Sequence, residues 1–196
     1  MYQNNTGSFH SLSLNQILQG CNKYGFSRKR RYYLAFTLAS SFLQFLETPW
    51  LHTPWTKSDI VFINESNDST KFLLDQPYLD RDPLAREGTA TKTQGDPVSP
   101  LHPLDVLGIM LLELCFGKSL EDRLDTVGTD SNIGHKLLAA LEWQTEVNDE
   151  TGSDYSNAVA WCLKDRRMIP LDKWRQAMLQ NVVKPLEKLY QDLFDQ

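Results

Sequence analysis

Residues 104 to 116 read Leu104-Asp-Val-Leu-Gly-Ile-Met-Leu-Leu-Glu-Leu-Cys-Phe116. Apolar residues follow one another without leaving a polar face, which marks a helix covered on all sides. Gly117 supplies a stop. Such a helix needs other elements around it, and the rest of the chain offers them. Upstream, Tyr32, Ala35, Phe36, Ala39, Phe42, Leu43 and Leu46 recur at three and four, and Thr48-Pro49 ends the run. Downstream, Leu137, Leu138, Leu141 and Val147 predict a helix over 135–147, and Tyr155, Val159, Cys162 and Leu163 predict another. From Leu171, Trp174, Met178, Val182, Leu186, Leu189 and Leu193 keep helical spacing, and Pro185 must kink that helix or open a new one. Ser13 and Gln16 have capping-box spacing ahead of Ile17 and Leu18, so a short helix should run to Gly20 or Gly25.

Two short β-type runs, Ile60–Ile63 and Lys71–Leu74, flank a stretch of turn-forming residues and predict a small hairpin. Residues 80–102 hold prolines, glycines and mixed charge without a period, and 122–134 contain Gly128 and Gly134; both are expected to be long loops. The expectation is a mainly α fold with one small hairpin, a single domain over 1–196 and a flexible N-terminus over 1–11.

The 196 residues are 41% apolar and 23% charged with a net charge of −5. That charge argues against nucleic acid or an anionic membrane as partner, and no apolar run is long enough to span a bilayer. The N-terminus has no apolar signal-peptide core. Cys21, Cys115 and Cys162 are odd in number and lack metal or disulfide spacing, so an intracellular, cytoplasmic protein with reduced thiols is expected. Arg28-Lys-Arg-Arg31 reads either as a nuclear address or anion patch, or as the exposed first turn of a helix. His10, His102 and His135 show no metal-ligand spacing.

The order of elements resembles the C-terminal lobe of a protein kinase from about Leu12 to the end, with no N-lobe ahead of it. Kinases carry H-R-D-L-x-x-x-N before a short strand. Here His52 takes the His place, Thr53 the Arg, Pro54 the Asp and Asp59 the Asn, and Ile60-Val-Phe follows. Lys71-Phe-Leu-Leu-Asp-Gln-Pro stands where K-[IV]-x-D-F-G is expected, putting Asp75 in the metal-binding place. Leu107-Gly-Ile-Met-Leu-Leu-Glu-Leu-Cys-Phe-Gly is similar to the central helix of that lobe. More narrowly, Phe42-Leu-Gln-Phe-Leu-Glu-Thr-Pro-Trp-Leu, Leu112-Glu-Leu-Cys-Phe-Gly and Val182-Val-Lys-Pro-Leu-Glu resemble an uncharacterised fungal kinase-like domain. That resemblance implies a place behind an N-terminal helical domain in prion-type or incompatibility signalling.

The departures from the kinase pattern bear on function. Phosphoryl transfer needs a carboxylate to orient the hydroxyl and ligands for Mg²⁺. Pro54 accepts no proton, Asp75 lacks the Phe-Gly that positions it, and no Gly-rich phosphate loop or V-A-I-K strand occurs. The aspartate that opens the kinase central helix falls on Pro103, and no Glu follows Ser99-Pro100. Thr89, Thr91 and Thr93 occupy the activation-loop position. Asp59 and Asp75 read either as a relic Mg²⁺ pair or as solvated, capping carboxylates. His52 with Asp59 reads either as an acid–base pair or as a loop anchor. The expectation is a non-enzymatic, pseudokinase-like interaction or regulatory module. It has no catalytic residue, metal, cofactor or bound ATP; it keeps degenerate positions at His52, Pro54, Asp59 and Asp75, and it binds a protein partner. The alternative is a residual phosphotransferase or nucleotide binder that needs an N-lobe from elsewhere.

Overall fold

Ser13 ends a short strand, β1 (Ser11–Ser13), and starts a helix, α1 (Leu14–Gln19), in a computed structural model that describes residues 11–20, 24–51, 55–64, 72–80, 101–127 and 133–193. The Ser13 hydroxyl accepts from the Gln16 N–H at 3.3 Å, and Gln16 Oε1 accepts from the Ser13 N–H at 2.9 Å. This is the reciprocal cap that the spacing predicts, and Gly20 ends the helix. The next helix, α2 (Arg28–Phe45), is capped by Ser27 and stops ahead of Thr48-Pro49, where a 3-10 turn spans Pro49–Leu51. Strands β2 (Ile60–Ile63) and β3 (Pro77–Leu79) follow. All three strands form one antiparallel sheet in the order β1-β2-β3, with Leu12 opposite Phe62 and Val61 opposite Tyr78. Ile60 and Phe62 point into the core.

The hairpin expected between 60–63 and 71–74 therefore pairs differently. Lys71 lies outside the described residues, and the run after it turns instead of extending. The Gln76 N–H closes that turn on Leu73 O at 3.1 Å. Leu74 is 2% exposed and Phe72 meets Tyr24 edge-on, so the apolar side chains that suggested a strand serve the core as a turn. Pro77 opens the edge strand, where a missing N–H interrupts no ladder. The third strand, β1, was absent from the sequence expectation because Ser11-Leu-Ser is too short to show alternation.

The remaining elements are α3 (Pro103–Phe116), α4 (Leu120–Val127), α5 (Ile133–Gln144), α6 (Val147–Thr151), α7 (Ser153–Leu163), two 3-10 turns (Asp165–Met168 and Leu171–Lys173), α8 (Trp174–Met178) and α9 (Lys184–Asp192), with a π-helical turn at Leu179–Val183 joining α8 to α9. Helix α4 corrects the loop expected over 122–134. Ser119 Oγ accepts from the Asp122 N–H at 3.1 Å, Glu121 and Asp122 sit in the first turn, and Leu120 and Leu124 bury one face. Acidic residues that read as loop are here at the positive end of a helix dipole. The loop expectations over 81–100 and 128–132, and the N-terminal expectation over 1–10, fall outside the described residues. Pro185 sits in the first turn of α9, one of the two roles expected of it.

Helix α3 lies at the centre, with α7 and α2 packed against it. Leu104, Leu107, Leu111, Leu112 and Leu114 are fully buried, while Ile109 is half-buried. Gly108 lets α7 come close: a Cβ there would lie 2.7 Å from Leu163 Cδ2 and 3.1 Å from Cys162 Cβ. The Tyr155 hydroxyl, fully buried on α7, donates to Leu111 O at 2.8 Å. Among the described residues no helix is long and apolar enough to cross a membrane. Removing packing volume and adding it should both hurt. Leu111→Ala is expected to cost about 2–5 kcal/mol and Gly108→Ala about 1–3 kcal/mol in urea unfolding, and an unchanged midpoint for either would contradict this packing.

Candidate functional site

The segment that leads into β2 carries the residues singled out by sequence. His52 and Pro54 lie outside the described residues. Trp55 begins the visible part and is 2% exposed. Its ring meets Phe42 at 4.6 Å and Phe45 at 5.6 Å, and its Nε1 donates to Trp50 O at 2.9 Å. Trp50 is 37% exposed and leans on Phe45. The turn from Thr56 to Asp59 then closes on itself. Asp59 Oδ2 accepts from the Thr56 N–H at 2.7 Å and from Thr56 Oγ1 at 2.9 Å, and the Asp59 N–H donates to Thr56 O at 3.0 Å. Asp59 O accepts from the Asp80 N–H at 2.8 Å, so this residue also joins β2 to β3. Asp75 sits in the turn before β3, exposed, with Arg30 Nε 3.7 Å away. Each carboxylate thus has its own local partner. Among the described residues no group of three or more His, Cys, Asp or Glu is placed to hold a metal.

Two residues that sequence reasoning passed over carry the strongest electrostatics here. Lys57, in the same turn, places Nζ 2.5 Å from Glu113 Oε1 and also bridges to Glu121 on α4. Glu113 is 1% exposed in the middle of α3 and also accepts the Leu120 N–H at 2.9 Å. Burial pushes the Glu113 carboxyl up against the pull of Lys57. Burial alone would lower the Lys57 ammonium, but its two carboxylate partners raise it. The signal was visible: Glu113 is a lone charge within an apolar helix, and such a charge demands a partner. A second buried pair lies at the other end of α3, where Arg166 Nη2 is 2.7 Å from Asp105 Oδ1. Asp105, in the first turn of α3, thereby holds the segment after α7.

The basic run Arg28–Arg31 is largely spent on the fold. Arg28 Nε donates to the Tyr32 hydroxyl at 2.7 Å, Arg30 Nη1 to Gly25 O at 3.1 Å, and Arg31 Nη1 to Leu114 O and Cys115 O at 3.0 and 2.6 Å. A cleft of about 1040 Å³ opens beside Arg31, lined by Gly20, Gly117, Arg123, Trp143 and Glu146. Both of its guanidinium groups are engaged, Arg31 on helix carbonyls and Arg123 on Glu146 at 2.5 Å. Cys115 and Cys162 are buried and pushed up to about 12 by desolvation, so neither thiol is a nucleophile near neutral pH. The arrangement is rich in structural ion pairs, and Asp59, Asp75, Asp105 and Glu113 are each engaged.

The chain belongs to the family described as Domain of unknown function (DUF7580), whose model matches residues 3–192. No curated protein and no solved structure matches it.

Removing Lys57 should expose what the pair does. Lys57→Met leaves the Glu113 carboxyl buried without its cation and is expected to cost about 3 kcal/mol in denaturant unfolding, the low end for a broken buried pair because Lys57 keeps some solvent contact. Adding Glu113→Leu to that variant should recover much of the loss; equal destabilisation of the single and double variants would show that the charge itself is not the cause. His102 gives a pH signature. Its Nδ1 accepts from the Leu104 N–H at 3.2 Å and caps α3. Burial, with Arg166 close by, holds it below its ordinary value of 6.5. The unfolded chain therefore takes up the proton first, so stability is full above 6.5 and declines as pH falls toward the folded value. His102→Asn keeps a capping acceptor and should remove that part of the pH dependence of the melting temperature.

Proposed function

We propose that this domain is a non-catalytic interaction or regulatory module built on a degenerate protein-kinase C-terminal lobe, of the fungal kinase-like type, working through a protein partner in intracellular signalling. One observation carries it. The carboxylate at the place of the catalytic-loop Asn, Asp59, has an oxygen occupied by Thr56 N and Thr56 Oγ1. Beside it, Lys57 ties the same turn to Glu113 of the central helix. A carboxylate that closes its own turn is a poor ligand for Mg²⁺, because releasing it opens the turn. Asp75 offers a second carboxylate on a separate turn, paired with Arg30.

Thermal shift with ATP and Mg²⁺ tests this. A ligand present at 100 times its Kd stabilises the native state by about 2.7 kcal/mol, which a melting curve resolves. No shift is expected at millimolar nucleotide, and Asp75→Asn should leave the melting temperature nearly unchanged. A shift, or ATP hydrolysis, that Asp59→Ala or Asp75→Asn removes would select a nucleotide-binding phosphotransferase remnant instead.

A further inference from the structure

The surface after α7 has a character found nowhere else in the described chain. From Lys164 to Arg175 the two 3-10 turns are joined by Ile169-Pro170 and held from beneath. Arg166 is buried on Asp105, and Trp174 Nε1 donates to Ile169 O at 2.9 Å. What the turns present outward is apolar and cationic. Met168 is 89% exposed and Leu171 68%, the two highest values among the exposed large apolar residues described. Lys173 is exposed and makes no ion pair among the described residues, and Arg167 reaches Asp105 only at 3.7 Å. The segment holds five Lys or Arg against two Asp, in a chain whose net charge is −5.

The complementary character lies on α5 and α6. From Leu137 to Leu163 the sequence has five carboxylates, Glu142, Glu146, Asp149, Glu150 and Asp154, and no Lys or Arg. Glu146, Glu150 and Asp154 pair within the chain with Arg123, Arg28 and Lys188. Glu142 and Asp149 are exposed and form no ion pair among the described residues. Leu138 stands one helical turn before Glu142 and is 56% exposed. One surface thus carries uncovered apolar groups with spare positive charge, and the other an uncovered apolar group with spare negative charge.

We propose that the domain self-associates by seating the Met168–Leu171 turn of one copy on the acidic α5–α6 face of a second. This rests on the reading of the chain as an interaction module and names its partner as a second copy. The turn is braced by a buried ion pair and an indole hydrogen bond, so little ordering cost attends docking. The two surfaces differ, so the contact is heterologous and every copy carries both halves. Three large apolar side chains fall short of the roughly 1,200–2,000 Å² that a stable complex buries. The association is therefore weak, and it strengthens when copies are tethered close together.

Sedimentation velocity on the full chain tests it across a wide concentration range. The weight-average mass should rise with concentration and fall back at about 1 M salt, where charges are screened beyond about 3 Å. Arg167→Glu with Lys173→Glu, and separately Glu142→Lys with Asp149→Lys, should each remain monomeric where the wild type associates, while an equimolar mixture of the two variants recovers association. All four positions are exposed, and circular dichroism and melting curves verify that each variant is folded. A monomer at every concentration, association that both charge reversals leave intact, or a mixture that stays monomeric each overturns the proposal. The ATP thermal shift on the same samples reports separately on the non-catalytic reading.

Discussion

Burying a helix on every side takes its two ends out of water along with its side chains, and the architecture turns on how the ends of α3 are satisfied. The first N–H groups and last carbonyls of any helix have no partner within it. At the N-terminus Pro103 brings no N–H to satisfy, and His102 Nδ1 accepts from Leu104. At the C-terminus Gly117 adopts a φ of 65° and its N–H closes on Glu113 O. Arg31 reaches across from α2 to cover the carbonyls of Leu114 and Cys115. The same guanidinium would lie 2.9 Å from a Cβ at position 117, so the glycine meets a backbone need and a spatial one together. Helix α2 is thus fixed against α3 by a polar contact at a specific height, and the apolar face of α2 does the rest.

The two buried ion pairs work in the same way at specific heights along α3. Asp105 holds Arg166 after α7, and Glu113 holds Lys57 ahead of β2. The desolvation such pairs demand is comparable with their attraction, so their main effect here is to choose which packing is allowed. An α7 shifted by one turn, or a β2 turn docked elsewhere, would leave a charge buried alone. Arg166 keeps Nε and Nη1 without an acceptor among the described residues, which leaves this end of α3 the less completely compensated of the two.

Much of the helical framework was legible in the sequence, and for a physical reason. The run at 104–116, the Ser13–Gln16 cap and the stops at Gly20, Gly117 and Thr48-Pro49 are local signals, written in adjacent residues. What was not legible depends on distant partners. The strand at Pro77–Leu79 is a strand because β2 lies beside it, and Phe72–Leu74 is not one because Tyr24 and the core claim its side chains. Helix α4 looked like a loop because its stabilising features, a Ser119 cap and two acidic residues, are the same residue types that build loops. Of the candidate site, Asp59 closes its own turn at the start of β2, one of the roles the sequence left open for it, whereas Lys57 drew no notice. Its significance appears only when Glu113, 56 residues away, arrives beside it.

The π-helical turn at Leu179–Val183 makes the C-terminal segment a matter of counting. One extra residue is wound into that turn, just ahead of Pro185, whose ring would crowd the carbonyl four residues back in an unbroken α-helix. Asn181 Nδ2 donates to Ala177 O at 2.8 Å, supplying a bond where the backbone ladder widens. Losing that residue would leave an ordinary α-helix with everything beyond in the same phase, whereas straightening the turn with all its residues kept would rotate the rest by about 100°, the rotation per residue of an α-helix. Leu186, now 1% exposed, would swing off the core without any change in its own identity. Met178, Val182 and Val183 hold core places within this segment, and the wide turn sets the phase at which Leu186 joins them.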